Sequence, residues 1–329
     1  MRRALRLAIA AFFIAGVIAY AWVRVQKLKG TFGNSATPML NAQLSGDPGA
    51  VRWLKGQLHV HSANSGDSKT APEQVAKWYA QHGYDFIVFT DHNHITSLPP
   101  VDGMLALPGV EITQNLDTCE PPPPQGMQCL LHVNALFVDP SREVELKPLK
   151  SAAREDVYGR AIDAAKEMGG IAQVNHPNFH YGADAALLVK LAARGARLVE
   201  IANEAVDSNN EGDASHPSTE ALWDAALDAG ARLYGTATDD AHHYYDADEV
   251  RAKGETAFTG DRGFVMVHAR KTPQDIREAI ERGEFYASTG LVLSGAGHDG
   301  GYTVERGMLG RTTITGPEGR AWTQPRFSP

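Results

Sequence analysis

The sequence predicts an α/β fold whose strand–helix steps close into a barrel. Three observations carry this expectation. Short apolar, β-like runs alternate with helix-period segments for about seven steps. Histidines and carboxylates recur at or just past the ends of those runs, where parallel strands of α/β barrels present their functional groups. The Gly-rich first turn usual in an open doubly wound sheet does not occur. The chain has 329 residues, 43% hydrophobic and 21% charged, enough for one large domain plus additions. A net charge of −8 without a long basic run argues against a nucleic-acid surface.

Residues 1–29 stand apart from this fold. Arg2, Arg3 and Arg6 precede the apolar run Leu7–Val23, and Arg24, Lys27 and Lys29 follow it. The run lies at the short end of the membrane-spanning range. Two readings fit it: an uncleaved signal anchor with its basic end in the cytoplasm, or a signal peptide cut after Ala21, since Ala19-Tyr20-Ala21 meets the small-x-small rule. The anchor is favoured because the apolar run continues through the cut. Either reading places the remainder outside the cytoplasmic membrane, anchored and facing the periplasm or exterior, or secreted. Residues 30–50 are rich in Gly, Ser, Asn and Pro without period and read as a linker.

The main domain is expected over residues 51–290. Val51 to Leu58 leads into a first strand, Leu58-His59-Val60-His61-Ser62. Thr70-Ala71-Pro72-Glu73 has the pattern of a helix start, with Thr70 as cap and Glu73 closing a capping box, and Gly83 ends the helix. Tyr84–Thr90 and Leu130–Val138 are further strands. Then follow a helix from about Arg154 to Met168, strand Ile171–Asn175, a helix from about Ala185 to Ala193, and strand Arg197–Ala202. Ser218 caps a helix reaching Gly230, and Arg232–Thr236 and Phe264–His268 are strands. Thr272-Pro273 opens a last helix ending near Gly283. The alternation predicts mostly parallel strands. From Leu291 the chain turns Gly- and Thr-rich, so residues 291–329 read as a short β appendage.

The two cysteines, Cys119 and Cys129, flank Glu120-Pro121-Pro122-Pro123-Pro124-Gln125-Gly126-Met127-Gln128. Outside the membrane they predict a disulfide stapling a proline-rich loop. A thiolate metal site is disfavoured because the other candidate donors are nitrogen and oxygen.

In a strand, His59 and His61 point to one face and can chelate one ion. Such a pair also arises on wet strand faces, but here the signal recurs. Asp91-His92 follows Phe86–Phe89, Glu111 follows Leu107–Val110, and His132 lies in Leu130–Val133. His176 follows Ile171–Asn175, and Asp240 and His242 follow Leu233–Thr236. A multi-metal site accounts for this regularity and for several of the 13 histidines. Asp-x-His spacing favours Asp240 over Asp239. His82, His94, His180, His216, His268 and His298 read as surface or packing residues. His243, Tyr244 and Tyr245 are candidates to line the mouth, and Glu200 and Asn203, ending a strand, to touch substrate.

These residues carry a family resemblance. Leu58-His59-Val60-His61-Ser62 with Asp67, Thr90-Asp91-His92-Asn93, Asn175-His176-Pro177 and Asp240-Ala241-His242 resemble, in order, the four motifs of the PHP (polymerase and histidinol phosphatase) superfamily. Gly109-Val110-Glu111 and His132 fall where that family has isolated ligands, and the resemblance covers roughly residues 56–290. Phe285-Tyr286-Ala287-Ser288-Thr289-Gly290 is similar to a subgroup that includes carbaryl hydrolase-like proteins. The resemblance implies a distorted seven-stranded (β/α)7 barrel with two or three divalent ions, manganese, zinc or iron, at its mouth. It implies His59, His61, Asp67, His92, Glu111, His132, His176, Asp240 and His242 as metal ligands, with Glu111 suited to bridge two ions. Several family members have histidine where this chain has Asp67. Asp91 and His176 are the candidate catalytic residues, Asp91 by orienting His59 or His61.

The implied activity is a metal-dependent phosphoesterase acting on a small-molecule phosphate ester. A water between two dications becomes a nucleophile near neutral pH, so no serine or cysteine nucleophile is needed, and no nucleophile-elbow motif occurs. The alternatives are a metal-dependent carbamate or carboxylic ester hydrolase and a non-catalytic PHP binding module. The second of these is disfavoured because the full ligand set is kept.

Overall fold

The computed structural model describes residues 49–296, 302–307, 312–315 and 321–323. The anchor or signal segment 1–29 and nearly all of the linker lie outside these. Among the described residues, no helix is long and apolar enough to cross a membrane.

Among the described residues the chain is a mixed α/β protein of 14 strands and six α-helices. Strand β1 (Arg52–Gln57) leads to α1 (Pro72–Gln81), β2 (Phe86–Val88), β3 (Leu105–Leu107), β4 (Gly109–Leu116) and β5 (Cys129–Leu136). Next come α2 (Arg154–Glu167), β6 (Ile171–Val174), a 3-10 turn (Phe179–Tyr181), α3 (Ala185–Arg194), β7 (Leu198–Asn203), α4 (Thr219–Asp228) and β8 (Tyr234–Thr238). The rest is α5 (Ala247–Ala252), β9 (Phe264–Ala269), α6 (Pro273–Arg282), β10 (Phe285–Ser288), β11 (Leu291–Ala296), β12 (Tyr302–Gly307), β13 (Thr312–Thr315) and β14 (Ala321–Thr323).

The strands form a sheet ordered β14-β13-β10-β9-β1-β2-β3, a second ordered β4-β5-β6-β7-β8, and the hairpin β11-β12. No continuous ladder closes them into a barrel. Isolated bridges join the two larger sheets instead: beyond the end of β2, His92 pairs with Glu111 and Thr96 with Gly109, and beyond the ends of β1 and β8, Val60 pairs with Ala241. The expectation of mostly parallel strands is also corrected. β1–β2, β2–β3, β6–β7 and β7–β8 are parallel, but β1–β9, β9–β10, β4–β5 and β5–β6 are antiparallel. The segment between β4 and β5 is the cysteine loop, too short and proline-rich for a crossover helix, so the two strands form a hairpin.

The two sheets share a core. Leu54, Phe86 and Val88 from one meet Leu136, Ile171 and Leu198 from the other, and α6 adds Ile276 and Ile280. Helices α2, α3 and α4 cover the outer face of the five-stranded sheet with Tyr158, Leu188 and Trp223. Helix α1 packs Val75 and Tyr79 against Ile87, Phe89 and Tyr244. Where β4 passes β2 the backbones crowd, and a Cβ on Gly109 would lie 2.6 Å from the Phe89 carbonyl oxygen.

Local signals locate most helix ends. Ser218 accepts from Ala221 N and Thr272 from Asp275 N, while Gly195 and Gly283 stop α3 and α6 at positive φ. Helix α1 departs from the expected capping box. Its N-cap is Ala71, without a side-chain cap, because Pro72 already occupies the first turn and Thr70 falls one residue too early.

Candidate metal centre

The nine candidate ligands converge from β1, β2, β4, β5, β6 and β8 or the turns after them. Donor atoms fall into three groups, each within 4.8 Å: His61, Asp67, His92 and His242; His59, His61 and Asp240; Glu111, His132 and His176. β1 ends at Gln57, so His59 and His61 lie just past it, their ring centroids 5.0 Å apart. Glu111 and His132 are not at strand ends but inside the β4–β5 hairpin. There Glu111 pairs with Asn134 and Thr113 with His132, so strand alternation turns Glu111, Thr113, Asn115, His132 and Asn134 to one face.

Glu111 is the hub of the cluster. It is 1% exposed, with carboxylate oxygens 2.7 Å from His92 Nδ1, 3.1 Å from His132 Nδ1 and 3.4 Å from His176 Nε2. Asn175 Nδ2 donates to it at 2.9 Å. Burial raises the Glu111 pKa, but the rings of His132, His59 and His92 outweigh burial and hold it well below the usual carboxylate range. Asp240 faces the centre, its Oδ1 3.0 Å from His61 Nε2 and 3.3 Å from His59 Nε2. Its neighbour Asp239 turns the other way and accepts N–H groups of Asp261, Arg262 and Gly263 and the Tyr79 hydroxyl. Asp67 is the outermost candidate, 2.9 Å from His92 Nε2 and 3.2 Å from His242 Nε2, with a side chain 46% exposed. Candidate ligands His176 and Asp240 have φ of 24° and 49°, backbone that non-glycine residues seldom adopt.

The donor set fits divalent cations. His59 donates Nδ1–H to the Glu200 carboxylate at 2.7 Å, and His242 donates Nδ1–H to the Asp240 carbonyl at 2.9 Å. Those partners only accept, so a neutral ring of either residue turns a bare Nε2 inward. His61 Nδ1 lies 2.8 Å from Ser65 Oγ. The Nε2 atoms of His59 and His61 are buried without a hydrogen-bond partner. Burial, His242 and His92 push the His61 pKa down to about 3, so its ring is neutral. A bare nitrogen then faces the Asp240 carboxylate with no proton to share, an arrangement a cation satisfies. His132 is turned over: Nε2 meets Asn115 Oδ1 at 2.8 Å and Nδ1 points to Glu111.

Asp91 does not orient a histidine, contrary to the sequence expectation. Its carboxylate accepts Ser62 N at 2.6 Å, the Ser62 hydroxyl and the Thr96 hydroxyl, bracing the turn after His61. The carboxylate behind His59 is Glu200. Glu200 and Asn203, expected to touch substrate, are buried at 1% and 0% exposure. Sequence reasoning also missed Thr113, Asn115, Asn175 and Gln57. Gln57 Oε1 accepts Leu58 N and His59 N, while Gln57 Nε2 donates to the Gly263 carbonyl at 2.7 Å. Their signal was present as polar residues interrupting apolar strands, for example Glu200 within Leu198-Val199-Glu200-Ile201. Tyr244 is buried, its hydroxyl donating to the carbonyls of His61 and Ala241, whereas Tyr245 is 58% exposed. His243, half-buried, accepts Phe258 N at 3.1 Å through Nδ1. Cys119 and Cys129 are joined as a disulfide.

No protein-family model and no curated protein matches the chain. Among solved structures, the chain is similar to a two-domain protein from Bacteroides vulgatus containing a predicted PHP-like metal-dependent phosphoesterase. That likeness has 18% identity over 84% of this chain and 96% of the other, at a TM-score of 0.47. A candidate metal-dependent phosphoesterase from Bifidobacterium adolescentis shares 15% identity over 63% of this chain and 91% of its own, at a TM-score of 0.40. An amidohydrolase from Chromobacterium violaceum with bound sulfate and no metal shares 15% identity over 57% and 87%, at a TM-score of 0.37. None of the three is described as a carbaryl hydrolase.

Proposed function

We propose that the protein is a PHP-type metal-dependent phosphoesterase that hydrolyses a small-molecule phosphate ester at a site for two or three divalent ions. One observation carries the reading: three interlocking groups of histidine and carboxylate donors lie around buried, partnerless imidazole nitrogens. Bound divalent ions would supply Lewis acidity toward phosphoryl oxygens and lower the pKa of water. The chain's own groups do the rest. Glu111, whose carboxylate lies near histidines of all three groups, would offset the cation charge and keep the donors together. Buried Asn134, Asn175 and Gln173 satisfy one another and the carboxylates of Glu111 and Glu200, leaving Asp67 and His92 as the more exposed, substrate-facing edge. An all-nitrogen and oxygen donor set accords with manganese, zinc or iron(II). In this reading β1, β2 and β4 to β8 form a distorted seven-stranded barrel with seams at the isolated bridges.

The test is a substrate panel on purified protein loaded in turn with manganese, zinc or iron(II), each compared with chelated protein. Metal-dependent hydrolysis of bis-p-nitrophenyl phosphate or nucleotides is expected. Hydrolysis of naphthyl carbamates alone would instead assign a carbamate or ester hydrolase, and metal binding without turnover on any substrate a binding module. The proposal extends to location. Residues 1–29 anchor the chain with its domain outside the cytoplasmic membrane, in keeping with their basic–apolar–basic order and with a disulfide further on. A reporter fused after residue 60 and active only in the cytoplasm would reject this.

A further inference from the structure

Glu200 is a carboxylate buried in the sheet interior that reaches no solvent and is not among the nine candidate ligands. Its two oxygens divide their work. Oε1 accepts His59 Nδ1–H at 2.7 Å, the Thr238 hydroxyl at 2.7 Å and Gln173 Nε2 at 3.3 Å. Oε2 accepts the backbone N–H of His176 at 2.7 Å and Asn203 Nδ2 at 2.9 Å. The same Asn203 amide lies 3.1 Å from Asp240 Oδ2. One side chain on β7 therefore holds three candidate ligands from three other segments: His59 by its ring, His176 by its strained backbone, and Asp240 through Asn203.

We propose that Glu200 is the positioning residue of the metal centre, setting the His59 tautomer and tying the His59–His61–Asp240 group to the Glu111–His132–His176 group. This rests on the metal-centre reading above. The physical argument is one of supply. A ring that ligates through Nε2 needs its Nδ1–H taken by a fixed acceptor, and a carboxylate there raises the donor strength of Nε2. The His176 backbone at φ 24° persists only where its surroundings over-determine it, and the Glu200 oxygen is one such restraint. A carboxylate with five donors can be buried ionised, whereas an amide cannot replace it. Gln at 200 would set its NH2 against either the His59 and Thr238 donors or those of His176 and Asn203.

The test measures manganese(II) binding alone, by the loss of the free-ion electron paramagnetic resonance signal, on wild-type, Glu200→Gln, Glu200→Asp and Thr236→Val proteins. Thr236 hydrogen-bonds Gln173 Oε1 and the Val199 carbonyl in the same buried layer. Thr236→Val therefore disturbs the interior around Glu200, which the Thr236 hydroxyl reaches through Gln173, while the carboxylate and its bonds to His59 and the His176 N–H stay in place. Glu200→Gln is expected to bind manganese about 10–100-fold more weakly in at least one class of site. Glu200→Asp keeps the charge, so it serves if the Gln variant does not fold. Shorter by one methylene, it cannot hold His59 and His176 together and is expected to lose at least about tenfold. Thr236→Val is expected to melt earlier with manganese affinity unchanged. Wild-type affinity in the folded Glu200 variants, or an equal loss in Thr236→Val, would overturn the positioning role while leaving the metal-centre reading intact. Wild-type protein that binds no manganese, zinc or iron(II) would overturn both.

Discussion

At the scale of single residues, the side chains around the cluster separate into those that converge on one point and those that brace it. Glu111 stands within 3.6 Å of His59, His61, His92, His132 and His176. Its loss removes the carboxylate that lies near histidines of all three groups, whereas His59→Ala removes one neutral donor. We expect Glu111→Ala to lose more metal per chain than His59→Ala, with phosphatase rate falling in step, as read by elemental analysis and turnover on the same preparations. A Glu111→Ala protein holding no metal yet turning over at the parent rate would end the metal mechanism. Asp91 belongs to the bracing set. Burial pushes its pKa up, partly offset by the Thr96 and Ser62 bonds, and Asp91→Ala orphans the Ser62 N–H and both hydroxyls. The expected cost is about 1–3 kcal/mol of stability, with metal content largely kept. Loss of metal without loss of stability would place Asp91 on an ion instead.

At the scale of elements, the β4–β5 hairpin brings Glu111 and His132 together, and the disulfide clamps its loop end, where Leu116 pairs with Cys129. Arg154 Nε donates to Cys119 Sγ at 3.4 Å and its guanidinium to the Tyr181 carbonyl at 2.6 Å. The clamp thus reaches the turn that follows His176. Bridging cysteines 10 positions apart restricts the unfolded chain by about 2–3 kcal/mol. Reduction is therefore expected to lower the melting temperature by several degrees. Amide exchange should rise first in the loop and in residues 179–182. An unchanged melting temperature under reductant would refute the clamp.

At the scale of the whole molecule, the candidate ligands straddle both seams between the larger sheets. His92 and Glu111 are themselves a bridging pair of one seam, and His59, His61, Asp240 and His242 flank the Val60–Ala241 bridge of the other. Cations bound there would tie the sheets together where the ladders thin to isolated bridges. Ligand linkage gives about 2.7 kcal/mol at a free-ion level 100 times Kd. Chelation is expected to lower the melting temperature and speed amide exchange around residues 59–61, 91–93 and 240–242. The gain should depend on pH. Burial pulls the His92 pKa down, but Glu111 and Asp67 outweigh it and raise it to about 10 in the metal-free protein. Protonated His92 stabilises the metal-free fold fully below its unfolded pKa of about 6.5, and that contribution fades as pH rises toward 10. A cation needs the ring neutral, so metal affinity changes in the opposite sense. The melting-temperature gap between loaded and chelated protein should widen from pH 6.5 to 9, and a gap that narrowed would refute the assignment of His92 as a ligand.

What the sequence determined by itself was local. Ser218 and Thr272 as caps, Gly283 as a stop and the apolar runs ending in histidine or aspartate are written within a few residues, and the physics they invoke acts over that range. The candidate ligands were legible for the same reason, since alternation and motif spacing mark them without knowledge of neighbours. Tertiary structure alone decided who stands behind them. Nothing near Asp91 says that it turns to Ser62 and Thr96, and nothing near Glu200 says that it meets His59, 141 positions earlier in the chain. Those partnerships depend on strand order and register, and on the antiparallel β4–β5 pairing that broke the expected parallel pattern. All of these are settled by burying apolar faces between segments distant in sequence.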